Sequence, residues 1–189
     1  MYDTSDFRKG LKIEYNGEPY EIVDFQHVKP GKGNAFTRTR IKNLITGNVL
    51  EVTLKSGEKV GKPDLEEKEM QFMYADGDSY FFMDQQSFEQ IEINKDTLSD
   101  SRLFLLENTT VYILFYKGKV IGIDLPIFMD IAVAKTDPGF KGDTVSNTTK
   151  PAELVTGAKV QVPLFINEGD VIRVDTRTGE YIERVALKK

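Results

Sequence analysis

His27-Val28-Lys29-Pro30-Gly31-Lys32-Gly33-Asn34-Ala35-Phe36 sits between two runs rich in strand formers. Tyr20-Glu21-Ile22-Val23-Asp24-Phe25 precedes it, and Ala35-Phe36-Thr37-Arg38-Thr39-Arg40-Ile41 follows. Pro30 fixes its own φ and biases Lys29 toward extended geometry. Gly31 and Gly33 permit backbone angles closed to other residues, and Lys32 between them has no bulky neighbour. The simplest structure for this pattern is a β-hairpin whose exposed loop carries one lysine at its tip. A plain turn with a solvated lysine would have the same local sequence, since most loops only connect. The surrounding chain has to separate the two.

Outward from the hairpin, the first 64 residues read as short strands and turns. Gly10-Leu11-Lys12-Ile13-Glu14-Tyr15 alternates apolar and polar, and Asn16-Gly17 links it to Glu18-Pro19-Tyr20-Glu21-Ile22-Val23, a strong hairpin signal. Phe36 to Ile41 alternates again and places Arg38 and Arg40 on one face, which Lys42 continues. Thr46-Gly47 turns into Asn48-Val49-Leu50-Glu51-Val52-Thr53-Leu54. Together these predict a small antiparallel barrel. The polar stretch Lys55–Asp64 marks a boundary.

Residues 65–128 predict a second barrel. Lys68–Tyr74 and Ser79–Met83 are strands joined through Asp76-Gly77-Asp78, and Ser87–Ile93 extends the pattern. A short helix is expected over Leu98–Glu107, capped by Asp100 or Ser101, with Leu103, Leu105 and Leu106 on its apolar side. Thr110–Tyr116 and Lys119–Asp124 form a hairpin around Lys117-Gly118. Strand spacing of this kind with one short helix matches an OB-type barrel. Residues 129–189 predict a third barrel. Its strands are Ile131–Ala134, Lys159–Phe165, Asp170–Asp175 and Gly179–Val185, and a Gly/Asp/Thr/Asn-rich loop runs from Asp137 to Pro151. The expected architecture is therefore all-β, with three small barrels in tandem. Each core alone would be marginal.

Composition limits the function. Of 189 residues 40% are hydrophobic and 29% charged, as in soluble globular proteins. No apolar run approaches the roughly 18 residues needed to cross a bilayer. The polar, acidic start Met1-Tyr2-Asp3-Thr4-Ser5-Asp6 does not read as a signal peptide. The absence of cysteine excludes disulfides, thiol catalysis and Cys-ligated metals, and fits a reducing cytoplasm. The net charge of −5 is uneven. Residues 1–62 hold 11 Lys/Arg against 8 Asp/Glu, residues 63–127 hold 5 against 13, and residues 128–189 hold 9 against 9. An acidic middle between more basic ends suggests modules with different partners. Nucleic acid stays possible, because binding depends on local positive surface.

Catalytic signatures are missing. Gly31-Lys32-Gly33 lacks the P-loop spacing and opens no helix. There is no Gly-x-Gly-x-x-Gly, no plausible Ser/His/Asp set, and a single histidine, His27, which reads as a hairpin residue. Lys32 as a nucleophile would need desolvation, which an exposed glycine-flanked tip does not provide. The residues favour a binding protein that presents a lysine, with no cofactor and no metal. An amine- or nucleotide-transferring enzyme would need a deep pocket with perturbed ionisable groups, and no spacing suggests one.

Lys29-Pro30-Gly31-Lys32-Gly33-Asn34-Ala35-Phe36 closely resembles the tip motif of bacterial translation elongation factor P. Asp6-Phe7-Arg8-Lys9-Gly10-Leu11-Lys12-Ile13 with Gly17-Glu18-Pro19-Tyr20 resembles that family's N-terminus. Thr136-Asp137-Pro138-Gly139-Phe140-Lys141-Gly142-Asp143-Thr144 resembles the start of its third domain. Lys150-Pro151-Ala152, Val162-Pro163-Leu164-Phe165-Ile166 and Asp175-Thr176-Arg177-Thr178-Gly179-Glu180-Tyr181 resemble its C-terminal signature. The motifs occur in order along essentially the whole chain.

The resemblance implies a KOW-like (SH3-like) barrel over 1–64, an OB-type acidic middle barrel over 65–128 and an OB-type C-terminal barrel over 129–189, in an L shape like tRNA. It implies a cytoplasmic, monomeric factor that binds the 70S ribosome between the P and E sites when synthesis stalls on consecutive prolines. Lys32 would reach the CCA end of the P-site peptidyl-tRNA. In many members a lysine-modifying enzyme extends this residue, much as hypusine is formed in eukaryotic and archaeal relatives. Lys29, Arg38, Arg40 and Lys42 would then be phosphate contacts; ordinary solvated strand faces are the other reading. Gly142, Asp143 and Thr144 match a loop reaching toward the E-site codon, and Tyr181 and Arg184 match positions touching the tRNA anticodon stem. Two other readings stand beside this one: an elongation-factor-P-like paralogue, and a general OB-fold RNA-binding protein. The latter needs exposed stacking aromatics on a basic face, whereas the middle module is acidic.

Overall fold

A computed structural model describes residues 1–138 and 149–185. By packing, the chain divides into two compact units, residues 1–67 with 114–122, and residues 68–113 with 123–189.

The N-terminal part of the first unit carries six strands: β1 (Tyr2–Asp3), β2 (Lys12–Tyr15), β3 (Glu18–Val28), β4 (Phe36–Asn43), β5 (Val49–Lys55) and β6 (Lys59–Val60). A four-stranded antiparallel sheet runs β2-β3-β4-β5, and β1 pairs with β6. The Asn16-Gly17 turn forms as expected. Tyr15 faces Glu18, and both turn residues have positive φ, 51° and 80°. That twist matches the strands it joins. Alternation in β4 buries Thr37, Thr39, Ile41 and Asn43 and turns Arg38, Arg40 and Lys42 outward. Ile13, Ile22 and Ile41 meet Phe7, Leu11, Tyr20, Leu54 and Val60 in the core. Each buried aliphatic or aromatic side chain there stabilises the fold by about 1.5–3 kcal/mol. Tyr116, on the 114–122 segment of the same unit, donates its hydroxyl to the Gly17 carbonyl at 2.8 Å and lies 2.9 Å from Glu14 Oε2.

The middle strands are β7 (Leu65–Asp76), β8 (Ser79–Asp84), β9 (Gln90–Asn94), β10 (Thr110–Tyr116) and β11 (Lys119–Asp124). They form one sheet in the order β11-β10-β7-β8-β9. Within the second unit, Met70, Phe72, Phe82, Ile93, Leu98, Val111 and Ile113 are buried. The strand expected from Ser87 starts later, at Gln90. Asp84 accepts hydrogen bonds from the Gln86 and Ser87 amides, which closes a turn and leaves Phe88 exposed with positive φ.

The expected helix over Leu98–Glu107 is replaced by two shorter pieces. A helical turn, α1 (Lys95–Leu98), is capped by the Asn94 side chain, and a 3-10 segment, Ser99–Phe104, has no side-chain cap. Asp100 and Ser101 therefore do not cap a helix start. The reason lies in Leu103-Phe104-Leu105-Leu106. Four consecutive apolar residues cannot all lie on one helical stripe. The tighter segment sends Phe104 into the core of the C-terminal sheet, while Leu105 is buried as well.

The C-terminal strands are β12 (Phe128–Thr136), β13 (Thr149–Leu154), β14 (Lys159–Pro163), β15 (Val171–Asp175) and β16 (Glu180–Arg184). The sheet order is β14-β13-β12-β15-β16, with β12 central. Ile131, Val133, Leu154, Val162, Ile166, Ile172 and Val174 form its core. The all-β, tandem-barrel architecture expected from the sequence is the one the chain adopts.

Candidate functional site

The hairpin of β3 and β4 is paired from Tyr20↔Asn43 to Val28↔Phe36, with a bulge between Ile22 and Asp24. Beyond the last pair, Lys29, Pro30, Gly31, Lys32, Gly33 and Asn34 are all exposed. Of the two glycines, Gly33 adopts a left-handed φ, +116°, and Gly31 does not. The turn thus depends on Gly33 for conformation. A Cβ on Gly31 would meet nothing within 4 Å, so its contribution is a slim backbone beside Lys32. Lys32 makes no ion pair or hydrogen bond with any described residue.

The base of the loop is tied down. Ser56 donates its amide to the Ala35 carbonyl at 3.0 Å. His27 Nδ1 lies 2.9 Å from Thr37 Oγ1 across the strand pair. The His27 ring packs edge-on to Phe25 at 5.4 Å, and Phe25 packs edge-on to buried Phe7 at 6.5 Å. A hollow of about 320 Å³, lined by polar and apolar side chains that include Thr4, His27, Val28, Lys29, Phe36 and Thr37, opens beside this base. On the bulged strand, Lys9 pairs with Asp24 at 2.9 Å and holds its carboxyl below the usual range.

Arg38, Arg40 and Lys42 share one exposed face as expected, but carboxylates are interleaved with them. Arg40 faces Asp24 on β3 and Glu51 on β5, Lys42 faces Glu21, and Arg38 Nε lies 3.4 Å from Glu51 Oε1. Exposed pairs of this type contribute only about 0–1 kcal/mol. They can be exchanged for a phosphate, yet the stripe is less positive than its cations alone suggest. Lys29, nearer the tip, has no ion pair among the described residues.

In the C-terminal sheet, Tyr181 is half-buried and packs against the core, so its ring is partly structural. Arg184 is exposed, with Nη1 3.8 Å from Asp170 Oδ2 and its guanidinium 5.9 Å from the Phe165 ring. Phe165 is 59% exposed. Its place in the run Pro163-Leu164-Phe165-Ile166 hid this, because a strand was expected to continue through it. β14 ends at Pro163, and Ile166 turns inward instead. Asp175 accepts two hydrogen bonds from the Arg177 side chain and one from its amide, which lower its pKa to about 2. Gly142, Asp143 and Thr144 lie outside the described residues. Among the described residues, no group of three or more His, Asp or Glu side chains is placed to hold a metal ion, and no helix is long and apolar enough to cross a membrane.

Three family models match consecutive segments of the chain. They are the elongation factor P KOW-like domain over residues 3–60, the elongation factor P OB domain over residues 65–123 and the elongation factor P C-terminal domain over residues 129–184. Elongation factor P of Bdellovibrio bacteriovorus is 57% identical over 188 residues, covering 100% of both chains. That of Natranaerobius thermophilus is 57% identical over 185 residues, covering 98% of each. Among solved structures, eukaryotic translation initiation factor 5A from Methanococcus jannaschii is similar in fold, with a TM-score of 0.54 at 24% identity, over 63% of this chain and 88% of that one.

Proposed function

The chain belongs to the elongation factor P family, and from that premise we propose that this translation elongation factor acts on the ribosome by presenting Lys32 to a peptidyl-tRNA. The observation that carries the reading is an exposed lysine, without an ion pair among the described residues, beyond the last strand pair of a long hairpin. It would bind between the P and E sites and promote peptide-bond formation at consecutive prolines.

Physical chemistry makes the role coherent. Proline is a restricted reactant, with φ fixed by its ring. Holding the CCA end of the P-site tRNA in a reactive orientation speeds the step without any proton donated by the factor, and misplacement by about 1 Å can cost roughly a hundredfold. Lysine supplies a compact charge and three donors on a flexible stem, and phosphates reward positive charge. The factor would thus be no enzyme: it positions reactants that the ribosome joins. Lys29, Arg38, Arg40 and Lys42 would meet rRNA or tRNA phosphates. Arg184, Tyr181, Gly142, Asp143 and Thr144 would serve the distal tRNA and codon. We further assign a lysine-modifying enzyme as a partner acting on Lys32, a monomeric state and a cytoplasmic location. The three-barrel division at 64/65 and 128/129 is supported by the three larger sheets, one of four strands and two of five, and by three matched segments.

The test is reconstituted translation of a message encoding consecutive prolines. Added protein is expected to raise the rate of the Pro-Pro step and leave non-proline steps unchanged. No acceleration with either the unmodified or the native, mass-verified protein would refute the reading.

A further inference from the structure

The tip lysine is useful only if its loop has a defined direction, yet Lys29 to Asn34 are all exposed and none of them belongs to a buried core. Orientation must come from the base. Val28↔Phe36 is the last strand pair, and His27↔Thr37 is the pair below it. Here the side chains add a bond that the backbone ladder does not supply, His27 Nδ1 to Thr37 Oγ1 at 2.9 Å. Thr37 is 1% exposed and therefore fixed by its surroundings, whereas His27 is on the surface. The imidazole is held on a second side by the edge-on contact with Phe25, which packs in turn on core Phe7. Aromatic pairs of this geometry contribute about 0.5–1.5 kcal/mol beyond the area they bury.

We propose that His27 is a positioning residue for Lys32: hydrogen-bonded to Thr37 and braced by Phe25, it sets the direction in which the 29–35 loop leaves the hairpin. The proposal rests on the functional reading above. In that reading the lysine acts through placement, so a small change in loop direction lowers the rate at saturation and leaves ribosome affinity, which is carried by other surfaces, nearly untouched. His27 is a ring with two nitrogens rather than a mere surface polar group. One nitrogen bonds Thr37, and the ring face and edge remain for Phe25.

Four variants separate this from a general role in stability. Thr37→Val removes the hydroxyl at nearly constant volume. His27→Phe keeps the aromatic contact and removes the bond. Thr37→Ser and His27→Gln keep a group able to make it. Pro-Pro bond formation is measured at saturating factor, together with ribosome affinity, thermal midpoint and NMR order parameters of the Gly31 and Gly33 amides. Thr37→Val and His27→Phe are expected to lower the saturating rate about tenfold and the loop order parameters together, at unchanged affinity, while Thr37→Ser retains most of the rate. A misplacement well under 1 Å accounts for that size of loss. Wild-type loop order parameters in both Thr37→Val and His27→Phe, or a loss confined to affinity, would overturn the proposal. If the wild-type factor itself gives no acceleration, the functional reading fails instead, and the order parameters still decide whether the pair directs the loop.

Discussion

Replacing Lys32 by alanine separates fold from function more sharply than any other single change. The side chain removed is exposed, makes no ion pair or hydrogen bond with any described residue, and sits between glycines in a loop without packing. Surface changes of this sort alter stability by no more than about 0.5 kcal/mol. For a chain of this size 1 kcal/mol corresponds to about 2–4 °C, so the thermal midpoint should move by no more than about 2 °C. The same change removes the charge and three donors that would hold the tRNA end. A lost positioning contact of that kind costs about a hundredfold in rate. The assay is single-turnover peptide-bond formation between two prolines on purified ribosomes at saturating factor, beside calorimetry of the free protein. A variant within about threefold of the wild-type rate would refute the tip-lysine mechanism. A fall in midpoint well beyond that range would show that Lys32 supports the fold and that the loop is not an independent element.

The triple variant Arg38→Ala, Arg40→Ala and Lys42→Ala should weaken ribosome binding and flatten its salt dependence. Because Glu51 already neutralises part of Arg38, the slope of log affinity against log salt should fall by about two rather than three; an unchanged slope would remove these residues from the RNA interface. A further expectation concerns Asp175, whose pKa is lowered to about 2 by Arg177 against about 3.9 in the unfolded chain. A depressed carboxyl stabilises the fold above the unfolded value and loses that contribution as pH falls through the folded one. Asp175→Asn should therefore melt below wild type at neutral pH, with the gap closing between about pH 4 and pH 2. A gap that has not narrowed by pH 2 would assign the effect to packing.

Much of this protein was legible in its sequence, and particular residues show why. Asn16-Gly17, Asp76-Gly77 and Thr46-Gly47 punctuate alternating runs, and both turn type and period-two burial are local properties. The exposed face with Arg38, Arg40 and Lys42 follows from the same alternation, and the whole-chain resemblance supplied the family and Lys32. The site was less legible where the answer depended on neighbours distant in sequence. Leu103-Phe104-Leu105-Leu106 reads locally as a helix side, but Phe104 is claimed by the core around Ile131 and Ile172. Phe165 reads as strand, but Ile166 is the residue that the core accepts.

By itself, then, the sequence determined the β architecture, the turns, the alternating faces and the presented lysine, because backbone geometry and strand period are decided within a few residues. Only the tertiary structure decided which carboxylates temper the basic stripe, which glycine of the tip bears the left-handed angle, and that His27, an unremarkable hairpin residue on paper, meets Thr37 ten positions away with Phe25 behind it. Those outcomes depend on strand register and on what lies beneath each side chain, and a shift of one residue in register would turn every side chain of a strand to the other face.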